Sequence, residues 1–136
     1  MKVTLDMGAY TPTRAHPTDA GLDLRSPNDF VIPPGGSVTI DTGVHVQLPA
    51  NTVGLLKSKS GLNVKHGIVS EGVIDVGYTG SIHVKLYNNS GLRYKGKTGD
   101  KITQLLVVPC LFPDIEVVAE LEDTERGANG FGSTGR

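Results

Sequence analysis

Residues 37–48, SVTIDTGVHVQL, and residues 81–88, SIHVKLYN, decide the fold class. In the first, Val38, Ile40, Gly43 and Val44 are interleaved with Thr39 and Asp41; in the second, Ile82, Val84 and Leu86 alternate with Ser81, His83 and Lys85. A period of two puts the apolar side chains on one face of a pleated strand and the polar ones on the other, so both stretches read as half-buried strands. Further strand candidates lie outward from them: VTL (3–5), FVI (30–32), VGLLK (53–57), IVSEGVIDV (68–76), ITQLLVV (102–108) and IEVVAEL (115–121). Between them sit the turn clusters PPGG (33–36), LPAN (48–51), GYTG (77–80), NNSG (88–91) and GKTGD (96–100). Short strands at this spacing, with no long helical stripe, predict an all-β sandwich, jelly roll or barrel, with at most one short helix around residues 61–66.

A chain of 136 residues is the size of one domain. Its formal net charge of −1 gives no overall basic signature, so direct nucleic-acid binding is not expected and any bound anion must be held locally. The single cysteine, Cys110 in VVPCLF, excludes an internal disulfide and reads as a buried structural thiol. No Cys/His cluster suggests zinc. No stretch approaches the roughly eighteen apolar residues of a membrane span, and the opening MKVTLDMGAY carries no apolar run, so a cytoplasmic, membrane-free protein is expected.

Five segments depart from strand-and-turn logic. AGLDLRS (20–26) sets Asp23 between two leucines, where an acid either faces solvent or is aimed at a cation. LLKSKSGLNVKHG (55–67) gathers Lys57, Ser58, Lys59, Ser60, Lys65 and His66 around Gly61, which suits either a phosphate or a solvated basic loop. GVIDVGYTGSI (72–82) reads as a β-hairpin with Asp75 on the incoming strand and Tyr78 at the turn. Asp75 lies between Ile74 and Val76, where desolvation would sharpen its basicity. In GDKITQLLVV (99–108), Gln104 is a lone amide in an apolar strand and needs either a structural hydrogen bond or a ligand. The fifth segment, ERGANGFGSTGR (125–136), combines four glycines with Ser133, Thr134 and two arginines. Its exposed backbone N–H groups, hydroxyls and the Arg126 fork suit phosphate, and Phe131 needs a flat partner. Taken alone, the segment is either a phosphate-binding tail or an ordinary disordered glycine-rich terminus; the domain is placed at 1–124 and the glycine-rich tail at 125–136.

AGLDL, KSGL, GVIDVGYTG, GDKITQL and RGANGFGSTG, in this order and spacing, resemble the five motifs of the trimeric deoxyuridine triphosphatase (dUTPase) family. The resemblance implies a distorted jelly roll of the β-clip type, a homotrimer with active sites at subunit interfaces, and a mobile C-terminal tail. It also implies Mg²⁺-dependent hydrolysis of dUTP to dUMP and pyrophosphate, which limits uracil in DNA and supplies dUMP for thymidylate. In that scheme Asp75 is the general base for the attacking water, and Asp23 grips a water of the Mg²⁺ shell. Lys59, Ser60 and Gly61 match the motif that stabilises the leaving pyrophosphate, and Gln104 the amide near the phosphates. Tyr78 matches the ring packed on deoxyribose, which leaves no room for a 2′-hydroxyl. The backbone of Val73, Ile74 and Asp75 would read the uracil edge. Arg126, Gly132, Ser133 and Thr134 match the tail over the β- and γ-phosphates, with Phe131 stacked on uracil as part of a lid.

Three departures from the family pattern stand out. Lysine occupies position 59, where arginine is usual, and cannot make a bidentate fork. The loop after His66 is short and lacks the asparagine that often helps to read uracil. His83 stands on a strand position that either faces the nucleotide or is exposed. Two related readings compete. A dCTP deaminase would need an acid on the strand after the hairpin, and SIHVKLYN has none. A dUTPase-like regulatory protein would be expected to carry a large inserted loop, which this sequence lacks.

Overall fold

The alternation of residues 81–88 is realised position by position: Ile82, Val84 and Leu86 are buried, while His83, Lys85 and Tyr87 face solvent. The computed structural model describes residues 1–130. Among the described residues the strands are β1 (Lys2–Leu5), β2 (Leu22–Arg25), β3 (Phe30–Ile32), β4 (Ser37–Gln47), β5 (Thr52–Lys57), β6 (Ile68–Ile74), β7 (Ser81–Asn88), β8 (Tyr94–Gly96) and β9 (Lys101–Pro109), with one helix, α1 (Ser60–His66). All pairings are antiparallel. One sheet runs β1-β4-β7-β6-β5-β9-β2, and β3 pairs with β8 in a small second sheet.

The long sheet curls at β6. Its first half pairs with β7 (Ile68↔Asn88, Val69↔Tyr87, Ser70↔Leu86), and its second half leaves β7 and pairs with β5 (Glu71↔Lys57 through Ile74↔Gly54). A second bend lies in β4, where the register with β7 shifts between Asp41 and His45. Gly43 takes φ 64° there, a conformation that favours glycine. The two arms fold over a core of Leu24, Ile32, Leu56, Leu86, Ile102 and Leu105, among others. This is the all-β distorted jelly roll that the sequence predicts. The apolar residues of both arms need each other, since a sheet with one oily face is stable only when that face is covered.

The small sheet is tied on by Asn88, a buried amide at the end of β7. Its Nδ2 donates to the carbonyls of Ile32, Pro33 and Leu92, and its Oδ1 accepts from the N–H and hydroxyl of Ser90. Every polar atom of the buried side chain is thus satisfied, as burial requires. The helix falls within a residue of its expected place and stops at Gly67, whose φ of 66° closes the last turn.

Four expectations are corrected. IEVVAEL (115–121) forms no strand, because no sheet edge of the same protomer receives it; Ile115, Val117 and Leu121 stay exposed. The β-hairpin read across 72–82 is splayed, since residues beyond Ser70 follow β5 and Asp75 lies just past the end of β6. Cys110 is only half-buried. The segments LDLR and YKG, too short to show a period, are strands β2 and β8.

Phe30 and Gly96 face each other across β3 and β8, and the Phe30 ring occupies the space where a Cβ on Gly96 would project. Replacing Gly96 with alanine is therefore expected to displace a core ring and cost about 1–3 kcal/mol. Urea unfolding measures it, and adding Phe30→Leu should recover part of the loss.

Candidate active site

β2 carries Leu22, Asp23 and Leu24 into the interior, all three buried. Asp23 therefore does not face solvent as an ordinary half-buried strand residue would. Its backbone is paired on one side with Gln104 of β9 and bridged on the other to Thr13. Its carboxylate takes two cations: Lys59 Nζ donates to Oδ1, and Lys101 Nζ donates to Oδ2 at 2.6 Å. Burial works to raise the Asp23 pKa, but the hydrogen bonds and charges of Lys101 and Lys59 outweigh it and hold the carboxyl below its ordinary value.

The segment from β5 into α1 is held by side chains where the ladder runs out. Thr103 Oγ1 donates to Lys57 O (3.0 Å), and Gln104 Nε2 donates to Ser58 O (3.1 Å). Ser58 Oγ accepts from Ser70 N at 2.9 Å, and the hydroxyls of Ser70 and Thr103 meet at 2.8 Å. The lone amide of β9 has thus found its structural bond. Gly21 has a matching reason to be glycine: the Gln104 amide lies where its Cβ would stand. This scaffold delivers Ser60 and Gly61, both exposed, at the start of α1, where the first-turn N–H groups have no intrahelical acceptor.

The second cluster lies past the end of β6. Tyr78 N donates to Asp75 O at 3.0 Å, forming a tight turn. Asp75 is exposed, so the desolvation expected from its apolar neighbours does not occur within this protomer. The Tyr78 ring folds back over Gly80, and its hydroxyl donates to Ser81 O at 2.9 Å. His83 Nδ1 meets the same carbonyl at 3.0 Å, and its Nε2 lies 3.5 Å from Asp41 Oδ2, so His83 sits exposed beside Tyr78. Between β6 and β7 a gap opens. Residues 71–74 pair with β5 on one side only, which leaves the β7-facing N–H and C=O groups around Val73 and Ile74 without a ladder partner.

The two clusters do not meet within one protomer. Gly54 at the near end of β5 is opposite Ile74, whereas Lys59 lies two residues beyond the far end of the same strand. Five residues of extended chain, roughly 16 Å, separate Ile74 from the Lys59 cluster, and Asp75 lies one residue farther away. Arg126 is exposed, and its Nε donates to Asn129 O at 3.1 Å. Phe131, Gly132, Ser133 and Thr134 lie outside the described residues. Lys101 is the member of the Asp23 cluster that sequence reading did not single out. Its only signal was its place three residues before Gln104, one of several lysines in the chain.

Asp23 generates a prediction with a definite sign. Its folded pKa is lowered, so its contribution to stability is complete above the unfolded value near 4 and is lost as pH falls through the folded value. At pH 7, Asp23→Asn should cost on the order of 2 kcal/mol, less than a fully buried pair because both lysines keep contact with water. The two urea midpoints should begin to draw together only as pH falls below about 4, and should meet once pH is below the folded value.

The dUTPase family model matches residues 8–135. The deoxyuridine 5'-triphosphate nucleotidohydrolase of Paramecium bursaria Chlorella virus 1 is 44% identical over 128 residues, covering 93% of this chain and 91% of that protein. The dUTPase of Staphylococcus bacteriophage 80alpha, solved with dUPNHPP, superposes with a TM-score of 0.93 at 33% identity, over 99% of this chain and 98% of that one. A mutant dUTPase from phage phi11 of S. aureus, described with a structural Mg(II) ion, superposes with a TM-score of 0.82 at 33% identity, over 90% and 98%. With the family pattern spanning nearly the whole chain and the same fold in solved members, the chain belongs to the dUTPase family.

Proposed function

We propose that this protein is a dUTP diphosphatase of the cytoplasm: with Mg²⁺ it hydrolyses dUTP to dUMP and pyrophosphate, at sites shared between the subunits of a homotrimer. The observation that carries this reading is the splayed β6–β7 gap, with unpaired main-chain groups along its wall and the Asp75 carboxylate at its mouth. Main-chain donors and acceptors at Val73, Ile74 and Asp75 suit the edge of uracil. A donor aimed at uracil O4 meets an amino group in cytosine, and a close-fitting wall clashes with the 5-methyl of thymine. Tyr78, held over Gly80 by its bond to Ser81, offers a ring face for deoxyribose and crowds a 2′-hydroxyl. His83 flanks that ring.

The chemistry is one in-line displacement. Asp75 takes a proton from water as its oxygen bonds the α-phosphorus; the bridging bond from that phosphorus to the β-phosphate oxygen breaks, and the electron pair leaves with pyrophosphate. Ser60, the N–H of Gly61 and the Lys59 ammonium face the charge that grows on the leaving group. Among the described residues, no three acidic or histidine side chains form a direct metal site. Mg²⁺ carried in on the triphosphate would need none, and Asp23 would accept from a metal-bound water once one of its lysines turned from the carboxylate to the phosphates. Bound there, Mg²⁺ would neutralise triphosphate charge. Arg126, Phe131, Gly132, Ser133 and Thr134 complete the site as a lid over base and phosphates.

Sharing between subunits is supported by the roughly 16 Å or more between Asp75 and the Lys59 cluster, because a base at the α-phosphorus and donors at the leaving group must lie within a few ångströms of adjacent phosphates. The exposed apolar segment Leu111–Leu121 supports assembly, because an isolated protomer has no cover for it. If Asp75 and Ser60 of one site come from different subunits, two crippled variants should rescue each other. Asp75→Asn and Ser60→Ala chains, unfolded together and refolded at equal amounts, should regain about a quarter of the wild-type rate, the fraction of randomly assembled sites that are intact. No gain over either variant alone would show that each site belongs to one chain.

The reading itself is tested by pyrophosphate release with Mg²⁺ from dUTP, dCTP, dTTP and UTP. Release from dUTP alone is expected, and Asp75→Asn should lower it at least about a hundredfold with the fold unchanged. Equal release from all four, or none from dUTP, would overturn it.

A further inference from the structure

We propose that Lys101 is a further phosphate-binding residue, paired with Lys59 on Asp23 so that the three side chains form one built cationic unit. The proposal rests on the dUTP reading and names a partner of the triphosphate in that same site. The two ammonium groups occupy the two oxygens of a single carboxylate, which places them side by side although they come from different strands. Asp23 is almost wholly buried, with its side chain 5% exposed; Lys59 and Lys101 are 27% and 35% exposed. The carboxylate is therefore at the back of the cluster and the cations are at its front. Two ammonium charges against one carboxylate leave one positive charge unbalanced, on side chains that reach solvent, and the exposed Ser60 and Gly61 follow Lys59 directly in the chain.

A structural role alone accounts for this arrangement poorly. One lysine suffices to neutralise one carboxylate, and a second cation placed beside the first adds repulsion that the fold must offset. An anion between the two ammonium groups removes that repulsion. Each ammonium also keeps donors that Asp23 does not use, since a lysine carries three. The chemistry suited to this unit is a polyphosphate, whose oxygens accept from both ammonium groups at once.

The test uses inorganic tripolyphosphate, which contains the phosphate chain and no base or sugar, with binding followed by calorimetry at several salt concentrations. Steady-state dUTP hydrolysis is measured in parallel on the same proteins. Lys101→Met keeps the stem and removes the charge, and Lys101→Arg keeps the charge; a single cooperative thermal transition, at a lower temperature for Lys101→Met, confirms that each is folded at the temperature of the assay. Lys101→Met should weaken tripolyphosphate binding about tenfold and make it less salt-sensitive, because one charge fewer is screened. Lys101→Arg should restore both. For dUTP the loss should appear in kcat/KM. Wild-type affinity and salt dependence in a folded Lys101→Met protein would overturn the proposal, as would a wild-type protein that does not bind tripolyphosphate. Lys101-dependent binding in a protein that fails to hydrolyse dUTP would instead uphold this site and overturn the dUTP reading.

Discussion

A buried carboxylate is the constraint on which the rest of this structure depends. Taking Asp23 out of water costs several kcal/mol unless cations meet it, and the cation of its own strand, Arg25, is engaged with the Gly99 carbonyl instead. The charges arrive from β9 and from the end of β5, so satisfying one acid brings together three segments far apart in the sequence. The neighbouring Gln104, Ser58, Ser70 and Thr103 extend the same logic with neutral hydrogen bonds, holding the chain where the sheet ladder stops. The result is a rigid platform from which Ser60 and Gly61 project. The hydrophobic core closes the two arms of the sheet, and this polar seam determines what those arms present at their edge.

Much of the fold was legible because alternation is a local signal. The run from Ile82 to Leu86 states its own buried face, and Gly67 marks its own helix end. IEVVAEL carries an equally clear strand pattern and forms none in the protomer, since a strand is completed by a neighbour and pattern alone does not say whose. Residues 72–82 misled in a different way. They have the turn chemistry of a hairpin, but β6 exchanges partners after Ser70, and a change of partner along one strand leaves no trace in its composition.

The site was legible where several residue types had to coincide and opaque where a single residue acted at long range. Asp75 and Tyr78 stand out within a short glycine-flanked stretch. Gln104 declared a need for a partner without naming it, and the partner proved to be a backbone carbonyl. Lys101 gave no sign, because a lysine at the start of a strand is ordinary until a buried acid is found opposite. Reading Asp23 as either solvent-facing or aimed at a cation left two outcomes open, and the structure shows the second, with the cations supplied by the protein itself.

The strand pair β5–β6 has Asp75 at one end and the lysine cluster near the other, so in a shared-site assembly each subunit serves two centres at once. A chain damaged at only one end spoils a single centre, whereas a chain in which this strand pair is broken spoils two. In a cell carrying one normal and one altered copy of the gene, these lesions would differ in dominance. Loss of Asp75 would behave nearly as a simple dose effect, while disruption of the strands that link the two ends would reach into the normal subunits and disable them as well.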